Sequence, residues 1–338
     1  MTRGTTVFFG ELLIRLSVPG KQLLAQTDAL DLYIAGAEAN VAAGLASLGA
    51  ATRMISVVPD NALGRRAIAA CQSTGIDCRH IRFAAGRMGL FFLTPGAGPR
   101  ASDIIYDRAD SAFVRARADD FDWATAFEGC DRLHISGVNP ALGAEPAKLA
   151  LAVVQAAKRH GLTISFDGNY RASLWAAWDS NPREILTGLL READIFFGNH
   201  RDISLVLDRD FGAADGEERR RGAALAAFAA FPNLKIIAST ARHVVTSDQN
   251  RISARIDTPA DYAQTDDVML AGIVDRIGAG DAFAAGILHG LDAGQGLDHA
   301  AHQGLALACL KHTLPGDASL FTQRDIDAFL SGDLDVRR

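Results

Sequence analysis

Between residues 38 and 311 the chain alternates Ala-, Gly- and Leu-rich stretches of helical length with short, apolar, β-branched runs. Helices are expected over 38–48, 62–74, 146–160, 183–192, 217–229, 279–292 and 297–311. Strands are expected over 6–9, 53–58, 132–136, 163–166, 195–197, 235–238 and 272–274. Alternating the two predicts βαβ units, hence an α/β fold with a mostly parallel central sheet between two helical layers. Ligands of such folds bind beyond the carboxyl ends of the strands.

Two regions break the alternation. Residues 12–34 and 88–107 are strand-like without intervening helices, and Gly96-Ala97-Gly98-Pro99 within the second reads as a hairpin turn. They are expected to pair as antiparallel strands in a small β-sheet lid inserted into one domain spanning 1–338. A formal net charge of −6 lacks the basic footprint of a nucleic-acid binder. No apolar run approaches the roughly 20 residues of a membrane span. Cys71, Cys78, Cys130 and Cys309 form no Cys-x-x-Cys pair and no zinc-ligand spacing, which points to free thiols in a reducing cytoplasm. The basic run Arg219-Arg220-Arg221 after Glu217-Glu218 is expected on a solvated helix face.

Chemistry concentrates at Val274-Asp275-Arg276-Ile277-Gly278-Ala279-Gly280-Asp281-Ala282-Phe283. A glycine pair opening an Ala-rich helix sets free backbone N–H groups and partial positive charge where phosphate oxygens bind. Small side chains at Gly278, Ala279 and Gly280 admit a ligand close to the backbone. Asp281 is placed to take the proton of a hydroxyl that attacks that phosphate. The plainer alternative for Asp281 is a first-turn acid that complements the helix dipole.

This stretch resembles the Asp-Thr-x-Gly-Ala-Gly-Asp-x-Phe signature of the PfkB (ribokinase-like) carbohydrate kinases, with Arg276 in place of the Thr. Ala35-Gly36-Ala37-Glu38-Ala39-Asn40-Val41-Ala42 resembles their Gly-Gly-x-x-x-Asn-x-Ala signature, with Ala35 at the first glycine. Tyr106-Asp107-Arg108, Asp167-Gly168-Asn169-Tyr170-Arg171-Ala172-Ser173-Leu174-Trp175 and Lys311-His312-Thr313-Leu314-Pro315-Gly316-Asp317 are similar to the 2-keto-3-deoxygluconate kinase branch. The resemblance implies a ribokinase-like three-layer α/β/α fold with a lid, and a homodimer formed through the lids. It implies ATP-dependent, Mg²⁺-dependent phosphorylation of 2-keto-3-deoxygluconate to its 6-phosphate.

Residue by residue, it implies Asp281 as base, with the amides of Gly278, Ala279 and Gly280 facing the transferred phosphoryl group. Gly36 and Asn40 are implied at the sugar hydroxyls, and Tyr106, Arg108 and Arg171 at the sugar acid. Arg suits that task because it holds a carboxylate through two parallel hydrogen bonds. Asn199 and Asp202 stand where relatives have Asn-x-x-Glu and are implied at Mg²⁺ through water. Ser239, Arg242, Gly278 and Gly280 are implied at the nucleotide, although Ser239-Thr240-Ala241-Arg242-His243 lacks the glycines many relatives carry. Glu11 is implied near the lid hinge.

Several positions keep alternatives. Gly36 reads equally as a helix N-cap, and Asn199 with Asp202 as a capping box. Arg108 has Asp107 and Asp110 as surface partners, Arg242 reads also as a surface turn residue, and Lys311 complements a helix C-terminus. For the whole chain the alternatives are a kinase for 2-keto-3-deoxygalactonate, fructose, ribose or a nucleoside, or a non-catalytic sugar sensor.

Overall fold

The structure is a computed structural model and describes residues 4–212 and 216–333; the expected domain span of 1–338 includes residues outside these. Its strands are β1 (Thr5–Phe9), β2 (Leu13–Ser17), β3 (Asp31–Ala35), β4 (Thr52–Pro59), β5 (Asp77–Ala84), β6 (Gly89–Thr94) and β7 (Asp103–Asp107). They continue as β8 (Cys130–Ser136), β9 (Thr163–Asp167), β10 (Ile195–Phe197), β11 (Ile236–Thr246), β12 (Gln249–Asp257), β13 (Tyr262–Gln264) and β14 (Val268–Ala271). The main sheet runs β5-β4-β1-β8-β9-β10-β11-β12-β13, with β14 also on β12. Every pair from β5 to β11 is parallel, and the pairs made by β12 are antiparallel.

β1 shows why the fold needs two helical layers. Side chains alternate across a strand. Val7 and Phe9 enter one core while Phe8 between them enters the other, all at most 1% exposed. The helix Ala144–Arg159 covers the first core through Leu149 and Val153. The helices Ala279–Ala293 and Leu297–Lys311 cover the second. These two pack backbone to backbone: a Cβ on Gly286 would sit 2.6 Å from the Gln303 carbonyl oxygen, and one on Gly290 2.5 Å from Ala300 Cα. The small residues that follow Asp281 thus fix its helix on the sheet.

A second sheet has the order β3-β2-β6-β7. Its outer pairs are antiparallel, but β2 and β6 are parallel, which corrects the all-antiparallel expectation. The reason is topological. β2 leaves the main sheet after β1 and β6 after β5, and those two strands point the same way.

Other expectations also change. No strand forms at 272–274: β14 ends at Ala271, and Gly272 turns the chain with φ of +69°. Residues 239–243 form no loop. With no glycine and with β-branched Thr240, Val244, Val245 and Thr246, β11 continues as a ladder against β12. The 219–221 arginines are half-buried, with Arg221 on Asp257 (2.9 Å) and Arg220 on Gln264 (2.9 Å), tying their helix to the sheet edge. β5, β12 and β13 are strands that the sequence pattern does not announce.

Candidate active site

Gly278 caps the helix Ala279–Ala293 from the left-handed region, with φ of +80°. The first four N–H groups of any α-helix lack helical acceptors, so this end offers donors to an anion. The turn is fixed from behind. Asp275 Oδ1 accepts from Ile277 N (3.0 Å), and Asp275 Oδ2 accepts from Gly316 N (3.1 Å). Arg15, on β2 of the smaller sheet and 3% exposed, donates to Asp275 (2.5 Å) and Asp317 (2.6 Å). Lys311, expected near a helix end, is fully buried beside these carboxylates and donates to the Leu314 carbonyl (3.1 Å). Breaking one side of such a buried ion network costs about 3–5 kcal/mol. The smaller sheet is therefore firmly tied to the turn that carries Asp281.

Asp281 lies in the first turn, and Asn40 Nδ2 donates to its Oδ2 at 2.7 Å. Asn40 is buried in the helix Ala37–Ser47, which Gly36 caps. The two ends of the sequence signature thus meet in one hydrogen bond spanning 241 residues. Burial pushes the Asp281 carboxyl up to about 6, against the pull of Asn40 and Arg171.

Asp167, which no sequence argument singles out, ends β9 within the field of Asp281 and Asp202. Burial and then the Asp281 charge push it up to about 8, with Arg171 opposing. Its signal lies inside the Asp-Gly-Asn-Tyr-Arg stretch, but only the fold brings the end of β9 within the field of Asp281. Arg171 is exposed, opens the short helix Ala172–Trp175 and donates to the Tyr170 carbonyl (3.2 Å).

Asn199 and Asp202 form the capping box of the helix His200–Leu207. Asn199 Oδ1 accepts from Arg201 N (2.8 Å) and Asp202 Oδ2 accepts from Asn199 N (2.8 Å). Burial raises the Asp202 carboxyl. Among the described residues no group of three His, Cys, Asp or Glu side chains could hold a metal by itself.

Arg108 does not take either surface partner. Asp107 pairs with Arg87 (2.5 Å) and Asp110 lies 3.8 Å from Arg115. Arg108 is buried, with Nε donating to Glu11 Oε2 (2.7 Å), and Ser111 Oγ donates to the other Glu11 oxygen (2.5 Å). Glu11, just after β1, thereby fixes the segment leaving β7. Tyr106 on β7 packs against Phe91 with ring centroids 6.2 Å apart. Ser239 and Arg242 lie on β11, where Arg242 is exposed and opposite Ile252 of β12.

The pattern describing pfkB family carbohydrate kinases matches residues 5–323. A 2-dehydro-3-deoxygalactonokinase of Haloferax volcanii is 32% identical over 327 residues, covering 96% of each chain. A 2-dehydro-3-deoxygluconokinase of Bacillus subtilis is 29% identical over 340 residues, covering 98% of this chain and 97% of the other. The crystal structure of a 2-dehydro-3-deoxygluconokinase from Thermotoga maritima superposes with a TM-score of 0.92 at 33% identity, covering 98% of this chain and all of that one.

Proposed function

The chain belongs to the pfkB family of carbohydrate kinases, and from that membership we propose that it transfers the γ-phosphoryl group of ATP to O6 of 2-keto-3-deoxygluconate (2-dehydro-3-deoxygluconate). The observation that carries this reading is the Asn40–Asp281 hydrogen bond of 2.7 Å at a phosphate-accepting helix end. Arg171 stands close enough to lower both Asp281 and Asp167. Asp281 accepts the proton of the 6-hydroxyl as the O6–Pγ bond forms and the bond to the ADP oxygen breaks. Asn40 orients the accepting carboxylate. The amides of Gly278, Ala279 and Gly280 stabilise charge on the transferred group. Burial and the Asp281 charge raise Asp167 further than Asp281 is raised, so of the two carboxyls Asp281 is the one more readily ionised and the proposed base.

A keto-deoxy acid adds a carboxylate, and Arg171 with Arg108 supplies guanidinium groups to hold it. Among the described residues only Nε of Arg108 has a partner, so both Nη groups are available for two parallel bonds. Asp202 and Asn199 offer hard oxygen donors at the edge of the phosphate site. Asp202 Oδ1 is not used by the cap, and the raised carboxyl gains from a cation. These residues suit Mg²⁺ held mostly by water and phosphate. When bound, the ion neutralises charge on the phosphate oxygens.

ADP release under Mg-ATP across a panel of sugars tests the reading. The panel holds 2-keto-3-deoxygluconate, its galacto epimer, gluconate, fructose, ribose and adenosine. Turnover confined to the keto-deoxy acids is expected; turnover confined to fructose, ribose or adenosine would remove the carboxylate role of Arg108 and Arg171. The galacto epimer is the second reading, favoured by the 32% relative of that name.

The assembly proposed is a homodimer through the smaller sheet. Directly paired residues share a face. Leu32, Phe92 and Ile105 share the face away from Arg15 and Tyr106, with Leu32 42% and Ile105 50% exposed, while Leu16, Ile34 and Leu90 of that face pack against a buried core. The exposed apolar end of this face is the surface proposed to meet a second copy. Sedimentation velocity at micromolar protein is expected to show a dimer that Ile105→Glu weakens; a monomer throughout would refute it.

A further inference from the structure

Glu38 is fully buried in the first turn of the helix Ala37–Ser47, between the signature residues Gly36 and Asn40. Glutamate is almost never fully buried without partners. Here the partners are amides. Glu38 Oε1 accepts from the N–H of Ser136, the last residue of β8, and from Asn139 Nδ2, both at 2.8 Å. Asn139, 1% exposed, carries the connection onward. Its Nδ2 also donates to the carbonyl of Phe9, the last residue of β1 (3.1 Å), and its Oδ1 accepts from Glu11 N (3.4 Å). The other Glu38 oxygen, Oε2, lies over Gly10, where a Cβ would come within 2.1 Å of it. Gly10 is held in turn from β4, whose Ser56 Oγ donates to its carbonyl at 2.7 Å. One side chain is therefore seated on the carboxyl ends of both β1 and β8.

The start of this helix has no side-chain cap, because Gly36 has none to offer. Glu38 fixes it from one side. Residues 38 and 40 stand about 200° apart around a helix, so anchoring the first presents the second on the opposite side. Asn40 there donates to Asp281 Oδ2 at 2.7 Å. The same line of bonds reaches the other proposed sugar contact. Glu11, whose N–H donates to Asn139, accepts from Arg108 at 2.7 Å through its side chain. Gly36 also lies against Glu11, since a Cβ on it would sit 2.6 Å from the Glu11 carbonyl oxygen. Asn40 and Arg108 are thus held in one register by Glu38, Asn139 and Glu11. Burial pushes the Glu38 carboxyl up to about 7, with Ser136 opposing, so a neutral amide of the same length is a close mimic of it.

We propose that Glu38, backed by Asn139, is a positioning residue of the sugar site: the reach of its side chain from the ends of β1 and β8 sets the helix so that Asn40 meets the Asp281 carboxylate. The requirement is for length and for an oxygen that accepts two donors, which a carboxyl and an amide both supply.

The role rests on the kinase reading, but crystal structures of two variants test it without turnover. Glu38→Asp keeps the acid and shortens the reach by one methylene; Glu38→Gln keeps the reach. The Asn40–Asp281 hydrogen bond is expected to break in Glu38→Asp and to persist in Glu38→Gln. Steady-state kinetics with 2-keto-3-deoxygluconate are expected to follow. Glu38→Asp and Asn139→Ala should lose about 10–100-fold in kcat/KM for the sugar, as misplacing a reacting group by about 1 Å does, while KM for ATP holds. Glu38→Gln should recover most of that loss. Added to Asn40→Ala, Glu38→Asp should cost little more, because residues acting through one contact are not additive. Three results would each overturn the role: Glu38→Asp matching Glu38→Gln toward the sugar, fully additive losses in the double variant, or a loss shared equally by KM for ATP. If the wild type turns over no sugar of the panel, the kinase reading fails, and the Asn40–Asp281 bond in the two crystal structures still decides the role of Glu38. Asn139→Ala leaves Glu38 on Ser136 and serves should Glu38→Asp not fold.

Discussion

Asp281→Asn will keep the fold and lose about 10²–10⁴-fold in kcat, the range that a positioned general base contributes. Asparagine preserves shape and can still accept from Asn40, but it cannot take the hydroxyl proton. The wild-type enzyme should show the same group in its pH profile. The carboxyl is held up at about 6, so kcat/KM is expected to fall below about pH 6 with a single ionisation. The variant's residual activity should lack that acid limb. Stability should move the opposite way. A folded-state carboxyl raised above its ordinary value of 3.8 adds no penalty below that value. The penalty grows as pH rises to about 6 and stays constant above it. Asparagine carries no such penalty, and it removes the charge that helps raise Asp167. The variant should therefore melt higher than the wild type at pH 8, with most of that difference gone at pH 4. A kcat within tenfold of wild type would sink Asp281 as the base. An unchanged melting difference across pH would contradict its buried charge.

A carboxylate that costs stability, as Asp281 does, is placed by the whole fold, and that bounds what the sequence can reveal. The parallel sheet is legible because short strands, some such as β1 and β10 apolar on both faces, alternate with helical stretches along the chain. The smaller sheet is legible as an interruption of that rhythm, but not the parallel direction of β2 and β6, which depends on where β1 and β5 point. Residues 272–274 look like a strand because Ile273 and Val274 are β-branched. Gly272 and the hydrogen bonds to His312 decide otherwise, and both are set by packing. At the site, local spacing locates Gly278 to Asp281 because an anion-binding turn is a local structure. Asp167, Arg15, Asp275 and Asp317 are not legible, because their role comes from contacts across the fold. Arg15 meets Asp317 across 302 residues. Arg108 illustrates the same limit: sequence offers Asp107 and Asp110 beside it, while the fold brings Glu11 from 97 residues away. Asn199 and Asp202 form a cap whichever other role they have, so spacing alone does not separate the two.

Replacing Gly278 by alanine should be the most damaging one-methyl change in the turn. Its φ of +80° is a region that non-glycine residues occupy at a cost of about 1–3 kcal/mol. Space adds to that strain. A Cβ there would lie 1.7 Å from the Asp317 carbonyl oxygen and 2.7 Å from its carbonyl carbon, which is backbone. Asp317 cannot retreat freely, because its carboxylate is held by Arg15 at 2.6 Å. The turn must move instead, and with it the amides proposed to face the phosphoryl group and the Asp281 carboxylate. A misplacement of about 1 Å can cost 10²-fold, and loss of one such donor 10²–10³-fold in kcat. We expect Gly278→Ala to lose at least about 10²-fold in kcat and to melt lower than wild type. Gly280→Ala separates the turn's geometry from the approach of the ligand. Gly280 is helical and exposed, and a Cβ added there would meet nothing within 4 Å, so alanine should hold or raise stability. Any loss in that variant would come from a methyl group meeting the phosphate, and would appear in KM for ATP as well as in kcat. Equal stability and activity in Gly278→Ala and wild type would show that the turn yields, and would remove its rigidity from the account of catalysis.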